Sequence, residues 1–138
     1  MAITLQTGAR FMSGRVERGK QLGRTIEFPT ANLTISPEFL PAQGVYGVYV
    51  YRGYRKYLGV MNIGYRPTFR DGEHQTIEVH ILDFNEFIYG ETLVIEVLFP
   101  IRTERKFPSL AALTAQLQKD VDFARTAFNE IQAHYVAI

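Results

Sequence analysis

Glu78 and His80 stand two positions apart in Thr76-Ile77-Glu78-Val79-His80-Ile81-Leu82. In an extended chain alternate side chains share a face. Ile77, Val79 and Ile81 then line one side of the strand, and Thr76, Glu78, His80 and Leu82 the other. A carboxylate and an imidazole on one face can act as acid and base or hold a metal, with His74 as the nearby third ligand. A plain solvent face has the same pattern. Thr30 and Asn32 alternate in the same way in Phe28-Pro29-Thr30-Ala31-Asn32. Pro29 fixes its own φ and keeps Phe28 extended. Two neutral oxygen ligands on one side suit a magnesium ion bound mainly through a substrate's phosphates. A turn in which both side chains bond local backbone uses the same residue types.

Gly14-Arg15-Val16-Glu17-Arg18-Gly19-Lys20-Gln21 matches a P-loop as far as its lysine. The next position needs a Ser or Thr hydroxyl for magnesium, and it is Gln21; the loop must also open a helix, and Leu22-Gly23-Arg24 shows no helical period. A P-loop is rejected on both counts. The stretch from Gly19 to Arg24 is still flexible and basic, and such a segment can fold over phosphates by another geometry. A solvated turn reads identically. Arg102, Glu104, Arg105 and Lys106 follow the last apolar run, with Phe107 beside them. This cluster suits an anionic or aromatic ligand, or is a solvated charge run.

The elements that must position these groups are mostly strands. Phe11 to Val16, Val45 to Tyr51, Tyr57 to Ile63, Thr76 to Leu82 and Thr92 to Phe99 are rich in β-branched and aromatic residues, and Pro100 closes the last of them. Arg52-Gly53-Tyr54-Arg55 joins two of them as a hairpin. After Pro108 the pattern becomes helical, with Ser109 as N-cap. Leu110, Leu113 and Leu117 fall at helical spacing. A second segment, capped by Asp120, carries Val121, Ala124, Phe128, Ile131 and Tyr135 on one face. Strands first and helix last predict a mostly β, α+β domain. Five or six antiparallel strands close most readily into a small barrel, with the helix against it.

Composition narrows the function classes. The 138 residues suffice for one domain with a real core. No cysteine is present, which excludes a thiolate nucleophile or a disulfide scaffold and fits a cytoplasmic setting. The net charge of +1 provides no field for nucleic acid, which disfavours an oligonucleotide-binding barrel. No apolar run approaches the roughly 20 residues that span a bilayer, and the N-terminus lacks a signal-peptide pattern.

Taken in order, these segments resemble the riboflavin kinase (flavokinase) domain that bacteria usually carry at the C-terminus of bifunctional FAD synthetase. The resemblance rests on Ser13-Gly14-Arg15-Val16, Gly19 through Arg24, Phe28-Pro29-Thr30-Ala31-Asn32-Leu33, Leu40-Pro41 and Gly44-Val45-Tyr46. It continues through Asn62-Ile63-Gly64, Arg66-Pro67-Thr68-Phe69, Ile77 through Phe84, Tyr89-Gly90, Ile101-Arg102, Glu104, Lys106-Phe107 and the helix with Leu113 and Asp120. It covers residues 8 to 138 and leaves residues 1 to 7 as an N-terminal extension.

The resemblance implies a six-stranded antiparallel Greek-key barrel with a C-terminal helix. It implies transfer of the γ-phosphate of ATP, with Mg2+, to the 5′-hydroxyl of riboflavin, giving FMN and ADP. By resemblance Thr30 and Asn32 hold the metal and Glu78 is the general base. Gly19, Lys20, Gly23, Arg24, Pro29, Thr30 and Asn32 would contact the nucleotide, and Arg102, Arg105 and Phe107 the flavin. If Ile77, Val79 and Ile81 face the core, Glu78 turns outward, so the site is expected on the outer surface or rim. Glu27 departs from the family, which usually has glycine there, and a carboxylate near ATP phosphates is repulsive. This feature favours a non-catalytic flavin-binding module as the alternative, whereas Thr30, Asn32 and Glu78 favour the enzyme. The adenylyltransferase domain that normally precedes this one does not appear in the sequence, so FMN adenylylation by this chain is not expected. Such a chain is either a standalone kinase or a domain excised from a longer protein that carries the adenylyltransferase.

Overall fold

A computed structural model describes residues 11–17, 31–35, 41–68 and 72–136. Six strands precede one helix: β1 (Phe11–Glu17), β2 (Ala31–Ile35), β3 (Gly44–Arg52), β4 (Arg55–Thr68), β5 (Gly72–Ile81), β6 (Thr92–Arg102) and α1 (Leu110–Val136). Every neighbouring pair is antiparallel, and the sheet closes in the order β1-β2-β5-β4-β3-β6. Strand β6 lies beside β3, so β6-β3-β4-β5 is a Greek key. Closure removes the sheet edges that would otherwise stay open to other chains.

Period-two alternation fills the barrel. Met12, Val16, Leu33, Val48, Val50, Met61, Ile63, Ile77, Val79, Ile81, Leu93, Ile95 and Val97 form one buried interior cluster. A second cluster lies outside, between sheet and helix. Val45, Val60, Leu82 and Phe99 meet Val121, Ala124, Ala127, Phe128 and Ile131 there. Gly47 makes this contact possible. A Cβ at Gly47 would stand 2.2 Å from Phe99 Cζ, so the ring lies directly on backbone. The β3–β4 hairpin turns at Gly53 and Tyr54, with Arg52 opposite Arg55 and Gly53 at φ 59°. A positive φ at the first turn position is what a type II′ hairpin requires and what glycine supplies.

Three expectations change. Ala31–Ile35 is a strand that its sequence does not announce. It is short, and the pairing that defines it comes from β1 and β5. Pro100 does not end the last strand, which runs on to Arg102. Pro100 pairs with Tyr46 between two register shifts, at Val45/Tyr46 and Gly47/Val48. Irregularities of this kind are where a sheet tolerates a residue without an N–H. Asp120 does not cap a second helix, because α1 is continuous through it. No Gly or Pro interrupts that stretch, and the Asp120 carboxylate is used elsewhere. The predicted cap at Ser109 is present: its Oγ accepts from the Ala112 N–H at 3.1 Å.

Candidate active site

The interior is filled with apolar side chains, so chemistry must occur outside it. Ile77 and Val79 point inward, which turns Glu78 outward. The same parity applies on both neighbouring strands. Leu33 faces the core and Ala31 packs against it, so Asn32 faces out; Met61 and Ile63 face the core, so Asn62 faces out. The register then aligns these outward residues. Asn32 stands opposite Glu78 across β2–β5, and Asn62 stands opposite Glu78 across β4–β5. A carboxylate is thus flanked by one amide on each side, in a row across three strands. Residues directly opposite in a sheet have Cβ atoms about 4.5–5.5 Å apart, close enough to share one ligand.

The row continues around the barrel. Asn62 is opposite Val45, and Val45 is opposite Arg102. Arg102 is anchored to the helix. Its Nε donates to Asp120 Oδ1 at 2.9 Å and its Nη2 to Oδ2 at 2.9 Å. Asp120 is only 1% exposed, and Gln116 Nε2 donates to its Oδ1 at 3.0 Å. The Arg102 and Arg105 guanidinium groups lie 5.5 and 4.8 Å from the centroid of the Phe107 ring. The segment after β6 is therefore held by an ion pair to α1 and by two cation–π contacts.

That segment brings Glu104 to the site. Gly64, opposite Thr76, faces the same side as Asn62 and Glu78. A Cβ on Gly64 would lie 2.5 Å from Glu104 Oε2 and 3.3 Å from Thr76 Oγ1. The carboxylate thus occupies the space where any other residue at 64 would project. Burial pushes the Glu104 carboxyl above the usual carboxylate range, and the negative charge of Glu78 adds to this. Arg102 and the Arg105 backbone N–H oppose the shift without cancelling it. Glu104 Oε2 and Asn62 Oδ1 are buried and have no hydrogen-bond partner among the described residues.

The structure brings Asn32 and Glu78 together, and places Arg102, Arg105 and Phe107 on the segment beside them. Thr30, Pro29, Gly19, Lys20, Gly23, Arg24 and Glu27 lie outside the described residues. Gly14 to Glu17, the first part of the P-loop match, belong to β1, and the rest of the match lies outside the described residues. Among the described residues no three His, Cys, Asp or Glu side chains converge as metal ligands. A polar set of amide and carboxylate oxygens remains, which suits an oxygen-loving cation that brings most of its ligands with it. Two site residues had no role assigned from the sequence, Asn62 and Glu104. The available signal for Asn62 was a lone amide inside the apolar run Val60-Met61-Asn62-Ile63. Glu104 was hidden in a charge run.

Among the described residues no helix is long and apolar enough to cross a membrane. Residues 8–128 match the Flavokinase family, described as riboflavin kinase. An RNA-binding riboflavin kinase of Bacillus subtilis is 43% identical over 120 residues, 87% of this chain and 52% of that protein. A bifunctional riboflavin kinase/FMN adenylyltransferase of Haemophilus influenzae is 45% identical over 117 residues, 84% of this chain and 38% of that protein. The chain thus spans about half or less of these relatives' length. Among solved structures, a Streptococcus pneumoniae protein described as a macrolide-efflux protein superposes with a TM-score of 0.78 at 42% identity, covering 83% of this chain and 38% of that one. Riboflavin kinase from Trypanosoma brucei superposes at 0.62 and 28% identity, covering 88% of this chain and 81% of that one. The barrel, the outward polar row and the match over nearly all of its length agree: the chain belongs to the riboflavin kinase (flavokinase) family.

Proposed function

We propose that residues 8–138 form a riboflavin kinase domain that transfers the γ-phosphate of ATP to the ribityl 5′-hydroxyl of riboflavin, giving FMN and ADP. The observation that carries this reading is the Asn32–Glu78–Asn62 row on a barrel of this family. Phosphoryl transfer needs positioning and charge neutralisation more than covalent help. Glu78 accepts the proton of the attacking hydroxyl. The new bond joins that oxygen to the γ-phosphorus, and the bond to the β–γ bridging oxygen breaks, releasing ADP. Asn32, with Thr30, would hold a magnesium ion, which neutralises phosphate charge when bound. The Gly19–Arg24 segment, including Lys20 and Gly23, would cover the phosphates together with Pro29. Arg105 and Phe107 would lie toward the flavin ring. Arg102 is committed to Asp120 and acts by holding that segment in place. The absence of cysteine fits a cytoplasmic enzyme, and an adenylyltransferase domain is the partner to expect within a longer chain.

Incubation with riboflavin, ATP and Mg2+ tests the reading directly, with FMN followed by chromatography. FMN is expected, and Glu78→Gln should lower kcat by roughly 10²–10⁴-fold with flavin binding much less affected. Flavin binding without FMN formation by the natural chain would instead identify a non-catalytic flavin-binding module. A Glu78→Gln rate near that of the parent would remove Glu78 from the mechanism.

A further inference from the structure

Two buried acceptors remain unused in the site. Asn62 Oδ1 and Glu104 Oε2 have no hydrogen-bond partner among the described residues, although an unsatisfied buried polar atom is costly and uncommon in a folded protein. Both lie on the same side of Glu78. Going round the barrel, the order on the outer face is Asn32 on β2, Glu78 on β5, then Asn62 on β4, with Glu104 over Gly64 of that same strand. The phosphate side and the unpaired acceptors are thus on opposite flanks of the group that takes the proton.

We propose that Asn62 and Glu104 form the subsite that reads the polyol chain of the flavin substrate, accepting hydrogen bonds from hydroxyls next to the one that reacts. This rests on the riboflavin kinase reading above and assigns that site a specificity device. Acceptors without donors call for a ligand rich in donors. A cationic ligand fits poorly, because Arg102 lies close enough to act on the Glu104 carboxyl. Hydroxyls carry donors without charge. Neighbouring strands are about 4.8 Å apart, so a chain whose terminal hydroxyl sits at Glu78 crosses Asn62 within a few carbons. Gly64 is part of the device, because only a residue without Cβ leaves room for the carboxylate there.

A site built to hydrogen-bond a hydroxyl discriminates strongly against the analogue that lacks it. The test compares riboflavin with a flavin bearing a 5-hydroxypentyl chain in place of ribityl, and with N3-methylriboflavin. Each is assayed for phosphorylation by the parent chain, Glu104→Ala and Gly64→Ala. The second variant keeps the Glu104 carboxylate but displaces it, so the result does not depend on one variant folding well. The parent should favour riboflavin over the hydroxypentyl flavin by about 10–100-fold in kcat/KM, the range for hydrogen bonds to a charged group. Both variants should cut that ratio several-fold, leaving the share that Asn62 supplies. A purely structural defect would slow both flavins together and leave the ratio as it was, which overturns the proposal. So does a parent without the preference, or a variant effect confined to the N3-methyl comparison, which would place Glu104 at the ring imide. If the parent phosphorylates none of the three flavins, the kinase reading itself fails.

Discussion

Removing the Arg102 side chain should destabilise the protein far more than its place at a strand end suggests. Its carboxylate partner sits on α1 with 1% exposure, and among the described residues only the Gln116 amide donates to it besides Arg102. Breaking a buried ion pair from one side leaves an uncompensated charge, at about 3–5 kcal/mol. Unfolding entropy near 2.1 cal/mol/K per residue gives about 0.3 kcal/mol/K for 138 residues. Arg102→Ala should therefore lower Tm by roughly 10–17 °C at pH 7. Asp120→Asn should do less harm. The charge it strands belongs to Arg102, whose side chain is 17% exposed and lies over Phe107. The pair Arg102→Met and Asp120→Leu should recover much of the loss, because apolar replacements of similar volume are often neutral or better.

Circular-dichroism melts and urea midpoints at pH 7 measure the loss. A melting temperature within about 3 °C of the parent would refute the desolvation argument.

Gly47→Ala should cost about 1–3 kcal/mol or more, because the added methyl meets a Phe99 ring that is itself wedged between barrel and helix; a melt that does not move would show that the ring can shift. Asn32→Ala should weaken use of the magnesium–nucleotide complex more than binding of flavin alone, checked by calorimetry with Mg–ADP and with riboflavin. Glu104→Gln should change the pH dependence of stability. The folded carboxyl titrates above its unfolded value near 4.5, so it contributes stability at low pH that is lost as pH rises through the folded value. The glutamine variant lacks that loss, and its stability relative to the parent should improve from pH 4 to pH 7. The groups acting on Glu104 are Glu78, Arg102 and the Arg105 N–H, so a reversed trend would mean that Arg102 outweighs burial.

Much of the barrel is legible because its strands carry their own pattern. Val48 and Val50, or Ile77, Val79 and Ile81, alternate strictly and end up in one interior cluster. The outward turn of Glu78 follows from the same alternation. What is hidden depends on partners far along the chain. Ala31–Ile35 is a strand because β1 and β5 flank it. Pro100 looks like a terminator until the bulges opposite it are known. Asp120 looks like a cap because Asp is common there, and only Arg102, 18 residues earlier, reveals its use.

The site follows the same logic. Asn32, Asn62, Glu78 and Glu104 come from three strands and a connecting segment, and no spacing in the sequence brings them together. Barrel closure does. Pairing β2 with β5 and β5 with β4 sets Asn32 and Asn62 on either side of Glu78, and a shift of one residue in either pairing would send an amide into the apolar interior. The hydrophobic register that fills the core is therefore the same register that lines up the polar row. The Arg102–Asp120 pair then ties the Glu104 segment to the helix, so packing of α1 reaches that segment through this ion pair. A destabilised α1 should consequently loosen Glu104 before it disturbs Glu78, which is held in the barrel wall by pairing with β2 and β4.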